Sequence, residues 1–332
     1  MGGNTFSLFL KASHPINTIT NFFAMRRIDE FRLYYNHTIH PELIRMEKGR
    51  KRLLFLFVLS AFAITIITVV LLYFKATLFA FFLVMPFGFY ISYLLFRIQE
   101  FKQKFKPNVV NLILDFVDNG VNYGTLKYDG KRMIDKKRFL SSQIFKTSAP
   151  QYSGEDHISG KVGELSFELS ELNVREYSKV RSRLNYVFRG IFLYASLNRE
   201  MQGEILILPR EFKQYLSKTI RSFNLRGGEP VEEQTLDMEF EKHFLSYATF
   251  DAETSACLSS DMQHTIVDYR RKTGKEIYVS FIKSEIYIAI TEPNDILEPY
   301  IFSSNVSFEL IHEFFEEIDL LMSIVEDFDK SH

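Results

Sequence analysis

The chain has few groups that can react. Of its 332 residues one is cysteine, Cys257, and none is tryptophan. An intrachain disulfide is excluded, which agrees with a reducing compartment. The eight histidines are scattered. No HExxH, paired CxxC or GxxxxGKS/T is present. His37 and His40 are three apart, but Pro41 follows at once. No catalytic residue, metal or cofactor is expected, and the protein does not read as an enzyme. Met1–Thr20 has no basic stretch leading into an apolar one, so no cleaved leader is expected.

Charge is also missing, in one place. Leu53–Phe74 is 22 residues without a charge, and Leu78–Phe96 is 19. As helices they would span roughly 33 and 28 Å, against an apolar bilayer core of about 30 Å. Only Lys75, Ala76 and Thr77 separate them. The pair reads as a transmembrane hairpin over 53–96, helical because lipid offers the backbone no hydrogen bonds. Pro86 and Gly88 could kink the second helix.

Basic residues flank the hairpin: Arg45, Lys48, Arg50, Lys51 and Arg52 before it, and Arg97, Lys102, Lys104 and Lys106 after it. The turn has Lys75 alone. Both termini should therefore be cytoplasmic, with the turn outside. The lipid bilayer is the first expected partner. Net charge is −1, but from Arg226 onward 23 acidic residues face 8 basic ones, against 18 and 32 before it. The basic part suits anionic lipid. The acidic part makes nucleic acid an unsuitable partner, because phosphate contacts need lysine and arginine.

The remaining segments read as 1–52, a cytoplasmic and juxtamembrane stretch; 97–118, juxtamembrane helices; 119–225, β-rich; and 226–332, acidic and α+β. Residues 1–22 suggest a poorly ordered start or a short surface helix. Pro107 should break the helix after the hairpin. Val109, Leu112, Ile113, Phe116 and Val117 then recur at helical spacing, and Asn119-Gly120 should end that helix. Strand-like runs follow at Tyr123–Tyr128, His157–Val162, Leu165–Val174, Tyr186–Ala195 and Glu204–Leu208. Gly160-Lys161-Val162-Gly163 reads as the turn between the second and third of these. Glu211–Ser222 suggests a short helix, and Arg226–Pro230 a linker.

Ser260–Thr273 carries helix signals at both ends, with Ser260 as N-cap and Gly274 as stop. Ile277–Ile282 and Glu285–Ile290 form a hairpin around Lys283-Ser284. Phe308–Phe328 is an amphipathic helix with Phe308, Ile311, Phe315, Ile318, Met322 and Val325 inward, and Glu316-Glu317 on its wet face. The fold class is α+β: a two-helix transmembrane hairpin, then a cytosolic domain of mainly antiparallel sheet and amphipathic helices.

Ser153–Ser170 (SGEDHISGKVGELSFELS), Phe188–Pro209, Phe240–Leu258, Tyr278–Ile290 and Ser323–Asp327 occur in an order that resembles the bacterial membrane-protein family catalogued as domain of unknown function 3137. The resemblance covers most of the chain from about residue 40. It departs at Ser255–Ser259, where an Ala-Arg-aromatic run would stand. It implies the membrane hairpin, an α+β cytosolic domain and a bacterial inner membrane, and brings no activity with it.

The most suggestive polar cluster is Glu155-Asp156-His157, beside Ser170 and Glu171, which could line a pocket between strands. Arg189 could sit near anionic headgroups. Arg50, Lys51, Arg52, Arg97, Lys102 and Lys104 should flank the membrane. The function expected is a membrane-anchored interaction module (scaffold, sensor or regulator) with a protein or lipid partner. Homo-oligomers are possible. The alternatives are a membrane-associated, hydrolase-like enzyme and an oligomeric pore or membrane-disrupting effector.

Overall fold

The computed structural model describes residues 27–75, 77–118, 123–178, 183–196, 202–211, 214–231, 236–295 and 297–330. The start at 1–22 and the Asn119-Gly120 stop lie outside them. Helix α1 runs Arg27–Tyr73 with a π-helical turn at Tyr35–Ile39. Among the described residues it is the helix that is long and apolar enough, by length and composition, to cross a membrane. Lys75, in a left-handed turn, leads to α2 at Thr77–Val117, which packs on α1.

Pro107 does not break the chain. It lies inside α2, as does Pro86. An internal proline costs about 3 kcal/mol through its missing N–H and its clash with the preceding turn. The apolar residues around it outweigh this. Phe105, Val109, Val110, Ile113, Leu114 and Val117 are all at most 5% exposed, and each fully buried aliphatic or aromatic side chain contributes about 1.5–3 kcal/mol.

Among the described residues that follow, nine strands form one antiparallel sheet, in the order β1-β2-β3-β4-β9-β8-β5-β7-β6. The strands are β1 Tyr123–Asp129, β2 Gln151–Val162, β3 Leu165–Ser178, β4 Arg183–Ser196, β5 Glu204–Pro209, β6 Gly228–Pro230, β7 Phe244–Thr249, β8 Ile277–Ile282 and β9 Glu285–Thr291. The shorter helices are α3 Lys136–Ser141, α4 Gln214–Asn224, α5 Met238–His243, α6 Thr254–Cys257, α7 Ser260–Thr273 and α8 Phe308–Lys330. The Arg226–Pro230 stretch is not a free linker, because Gly228–Pro230 pairs with β7. The sheet also crosses the 225/226 boundary through the β4–β9 ladder, in which Leu193 faces Ile288.

One face of the sheet carries Ile158, Leu169, Leu193, Ile288 and Val279, beneath α7, α8 and the polar-end turns of α1 and α2. Phe31 of α1 stacks on Phe315 of α8 (centroids 4.0 Å apart) and meets the edge of Phe116 on α2 at 5.2 Å. The other face carries Leu172, Phe192, Leu206 and Tyr287 beneath α3, α4 and residues 142–149. Here Phe139 stacks on Phe145.

Local signals account for several ends. Ser259, one residue before the expected cap, accepts a hydrogen bond from Met262 N and starts α7. Gly274, at φ +69°, closes it, a conformation that costs glycine little. Gly190 on β4 approaches β9 so closely that a Cβ would strike Ile290 O.

The apolar part of the two long helices has no such cover. Phe55, Phe62, Phe74, Phe82 and Phe89 are 64–72% exposed. Thr65 and Thr68 return their hydroxyls to carbonyls one turn back, so they present little polarity.

Candidate functional site

Residue Lys106 lies on the buried stripe of α2, three and four residues before Val109 and Val110. Its side chain is 9% exposed and four carboxylates surround it. Asp156 makes the direct ion pair. Glu155 and Glu171 stand 3.7 Å away and Glu298 stands 3.8 Å away. Tyr128 donates its hydroxyl to Asp156 Oδ1. Lys106, Tyr128, Glu155, Asp156 and Glu298 wall a cleft of about 630 Å³ that also takes in Lys102, Gln103, Asn111 and Lys131.

A bulge builds this wall. In a regular strand neighbouring side chains alternate between faces, so Glu155 and Asp156 could not both reach one helix. Glu155 faces Glu171 and Ile158 faces Leu169, which leaves Asp156 and His157 opposite one residue, Ser170. Asp156 takes a left-handed φ of 59°, uncommon without glycine. The turn brings Asp156 onto the α2 side beside Glu155. Fixing a non-glycine residue there costs on the order of 1–3 kcal/mol, and the Lys106 pair and the Tyr128 hydrogen bond offset it.

Electrostatics follow the crowding. Burial pushes the Glu155 carboxyl above its ordinary range despite Lys106, and Asp156 and Glu298 add to the rise. For Lys106 burial pulls the other way, but Asp156, Glu171 and Glu155 outweigh it and the ammonium is held above its usual value. Burial, then Asp156, keeps the Tyr128 hydroxyl protonated.

The expected cluster is thus divided. Glu155 and Asp156 line the cleft, whereas His157 turns to the opposite face, 4% exposed, with Nε2 3.3 Å from Glu168. Arg189 does not line the cleft. It ties β4 to the loop after β9 through Asp295 at 2.7 Å. Lys102 stands 4.0 Å from Glu298 at the cleft rim. Lys51 and Arg52 are exposed. Arg97 and Lys104 are exposed as well, and both pair with Glu100. Arg50 differs from these in being 5% exposed and bound to Glu47.

A second lysine node lies elsewhere on the domain. Lys275, between α7 and β8, pairs with Glu292, Glu313 and Glu317. Glu317 is 1% exposed, which corrects its placement on the wet face of α8. Burial pushes its carboxyl up to about 7 although Lys275 opposes the shift. The phenol of Tyr269 is buried nearby, and desolvation followed by the Glu317 charge keeps it protonated.

The carboxylate oxygens of Glu155, Asp156 and Glu171 lie within 4.8 Å of one another, as do those of Glu292, Glu313 and Glu317. Either set has donors for a cation. In both, a lysine ammonium already supplies the positive charge.

Lys106, Tyr128 and Glu298 had not been singled out from the sequence as site residues. The available signal was a lysine on an apolar helical stripe. Nothing local marks Glu298 or the bulge.

Residues 186–330, which hold β4 to α8 and thus Arg189, Glu298 and the whole Lys275 node, match the family described as "Protein of unknown function (DUF3137)". This is the family that the sequence resembles. No curated protein and no solved structure matches the chain.

Proposed function

We propose that the protein is a membrane-anchored interaction module. Helices α1 and α2 form a transmembrane hairpin that holds an α+β domain at the cytoplasmic face, with both termini on that side. The observation that carries this reading is the ring of exposed apolar side chains on the two helices, Phe55 to Phe89. Exposed apolar surface on this scale calls for cover, and the 22- and 19-residue uncharged lengths match the apolar thickness of a bilayer. The basic flanks, against Lys75 alone in the turn, set the orientation.

The domain's part is to bind. The cleft beside Lys106 combines exposed cationic and anionic rims, Lys102 and Lys131 against Glu155 and Glu298. Such a surface suits a polar partner presented near the membrane, and the module would act as scaffold, sensor or regulator.

Topology tests the anchor. The one cysteine is 1% exposed, so new cysteines can be labelled selectively. With Cys257→Ala as background, Lys75→Cys should react with an impermeant maleimide on intact cells. Leu225→Cys, at a position 83% exposed, should react only after permeabilisation. The reverse pattern overturns the orientation. Purification from gently solubilised membranes should retain a specific protein or lipid that the charge-reversed variant Lys131→Glu loses. Retention of nothing specific counts against the interaction reading.

A further inference from the structure

We propose that the loop Tyr300–Phe302 is a second contact with the bilayer, an interfacial foot clamped to the anchor helix. The proposal rests on the hairpin reading above and extends it to the domain. Leu53 begins the uncharged run of α1. Arg50 and Glu47 precede it by three and six residues, roughly 5 and 9 Å along the helix. Both are buried, at 5% and 6% exposure, and they pair through two hydrogen bonds of 2.8 and 2.5 Å.

Their partner is a distant stretch of chain. Arg50 donates its remaining amine to Ile301 O, and the backbone N–H of Asn305 supports the Glu47 carboxylate. Asn305 is 1% exposed and closes the loop on itself. Its Oδ1 accepts from Tyr300 N at 2.6 Å and its Nδ2 donates to Tyr300 O at 2.9 Å.

What this clamp holds up is apolar. Phe302 is 84% exposed and Tyr300 56%. Desolvating an ion pair is costly, and here the pair fixes an aromatic tip that touches little of the protein. The loop sits at the level of Arg50, just short of the apolar belt that Phe55 begins. Aromatic rings are enriched at that depth, where one edge meets lipid and the other water. The contact of Ile301 O with Arg50, three residues before the uncharged run, selects the headgroup–acyl boundary of the same bilayer as occupant rather than a soluble protein.

Fluorescence tests the proposal because the chain has no tryptophan. Three single-tryptophan chains are reconstituted at full length in vesicles with brominated acyl chains: Phe302→Trp, Phe62→Trp on the hairpin, and Phe250→Trp. Phe250 is fully exposed and follows β7 at the end of the sheet where β8 turns into β9, opposite the end that leads to Tyr300.

The expected result is bromolipid quenching of Trp at 302, as at 62, and iodide access at 302 about threefold below that at 250. Adding Arg50→Lys, which cannot fork between Glu47 and the loop, should raise iodide access at 302 and leave quenching at 62 unchanged. Equal iodide access at 302 and 250, with 62 still quenched by lipid, overturns the foot and spares the anchor. Loss of lipid quenching at 62 overturns the anchor and the foot with it. Unchanged access at 302 in the Arg50→Lys background overturns the clamp.

Discussion

Two lysines in this domain hold the same kind of company and do different work. Lys275 joins α8 to the ends of β8 and β9 and pairs with Glu292 and Glu317, which are 7% and 1% exposed. Lys106 joins α2 to β2 and β3, and two of its four carboxylates, Glu155 and Glu298, keep nearly half of their side-chain surface in solvent. The Lys275 node is closed apart from Glu313 and acts as a strap. The Lys106 node opens into a cleft. The same charge pattern therefore becomes structural or available according to how many of its carboxylates water reaches.

The largest test of that contrast is Lys275→Met. It strands Glu317 and Glu292 without their cation, and breaking a buried pair in this way costs about 3–5 kcal/mol. Thermal or urea unfolding of the detergent-solubilised chain reads the loss. A loss as small as that for an exposed pair would put the two nodes in one class.

Lys106→Met should cost less, about 1–3 kcal/mol, because water in the cleft can solvate the carboxylates left behind. A loss equal to that of Lys275→Met breaks the comparison.

Protons sharpen it. The Glu317 carboxyl, raised to about 7, holds its proton to higher pH in the folded chain than in the unfolded one. Its contribution to stability is full below about pH 4.5 and is lost as pH rises through about 7. Glu317→Gln should flatten that part of the stability–pH curve by up to ~3 kcal/mol. An unchanged slope would show that the proton sits elsewhere.

Tyr128→Phe removes the hydroxyl that Asp156 accepts from and should cost about 1 kcal/mol. Smallest is Lys102→Ala at the cleft rim. Its 4.0 Å contact with the exposed Glu298 is worth about 0–1 kcal/mol, and added salt should erase it.

Much of the frame was legible because its signals are local. Gly274, the basic last turn of α7, the Lys283-Ser284 turn and the apolar stripe of α8 each state an element within a few residues. The α+β class and the antiparallel sheet followed from them. The nodes were less legible, since burial of a charge is decided by what lies across from it. Glu317 sits between Phe314 and Leu321 at helical spacing, and Lys106 sits before Val109 and Val110. That spacing hinted at the core, yet only the opposite strands supply the partners. The bulge at Asp156 had no signal, because a run of three polar residues fits a regular strand or a loop equally well. Pro107 misled in the other direction: its local cost is real, and tertiary burial exceeds it.

The continuity of α1 has a mechanical consequence. On the anchored reading, one rod extends from the far face of the bilayer to Phe31, which stacks against α8 beneath the sheet. The described residues give it no flexible joint at the membrane surface, and its π turn lies deep in the domain. A change in bilayer thickness that tilts the rod must therefore swing the domain with it, and the lever arm is longest at the far edge of the sheet.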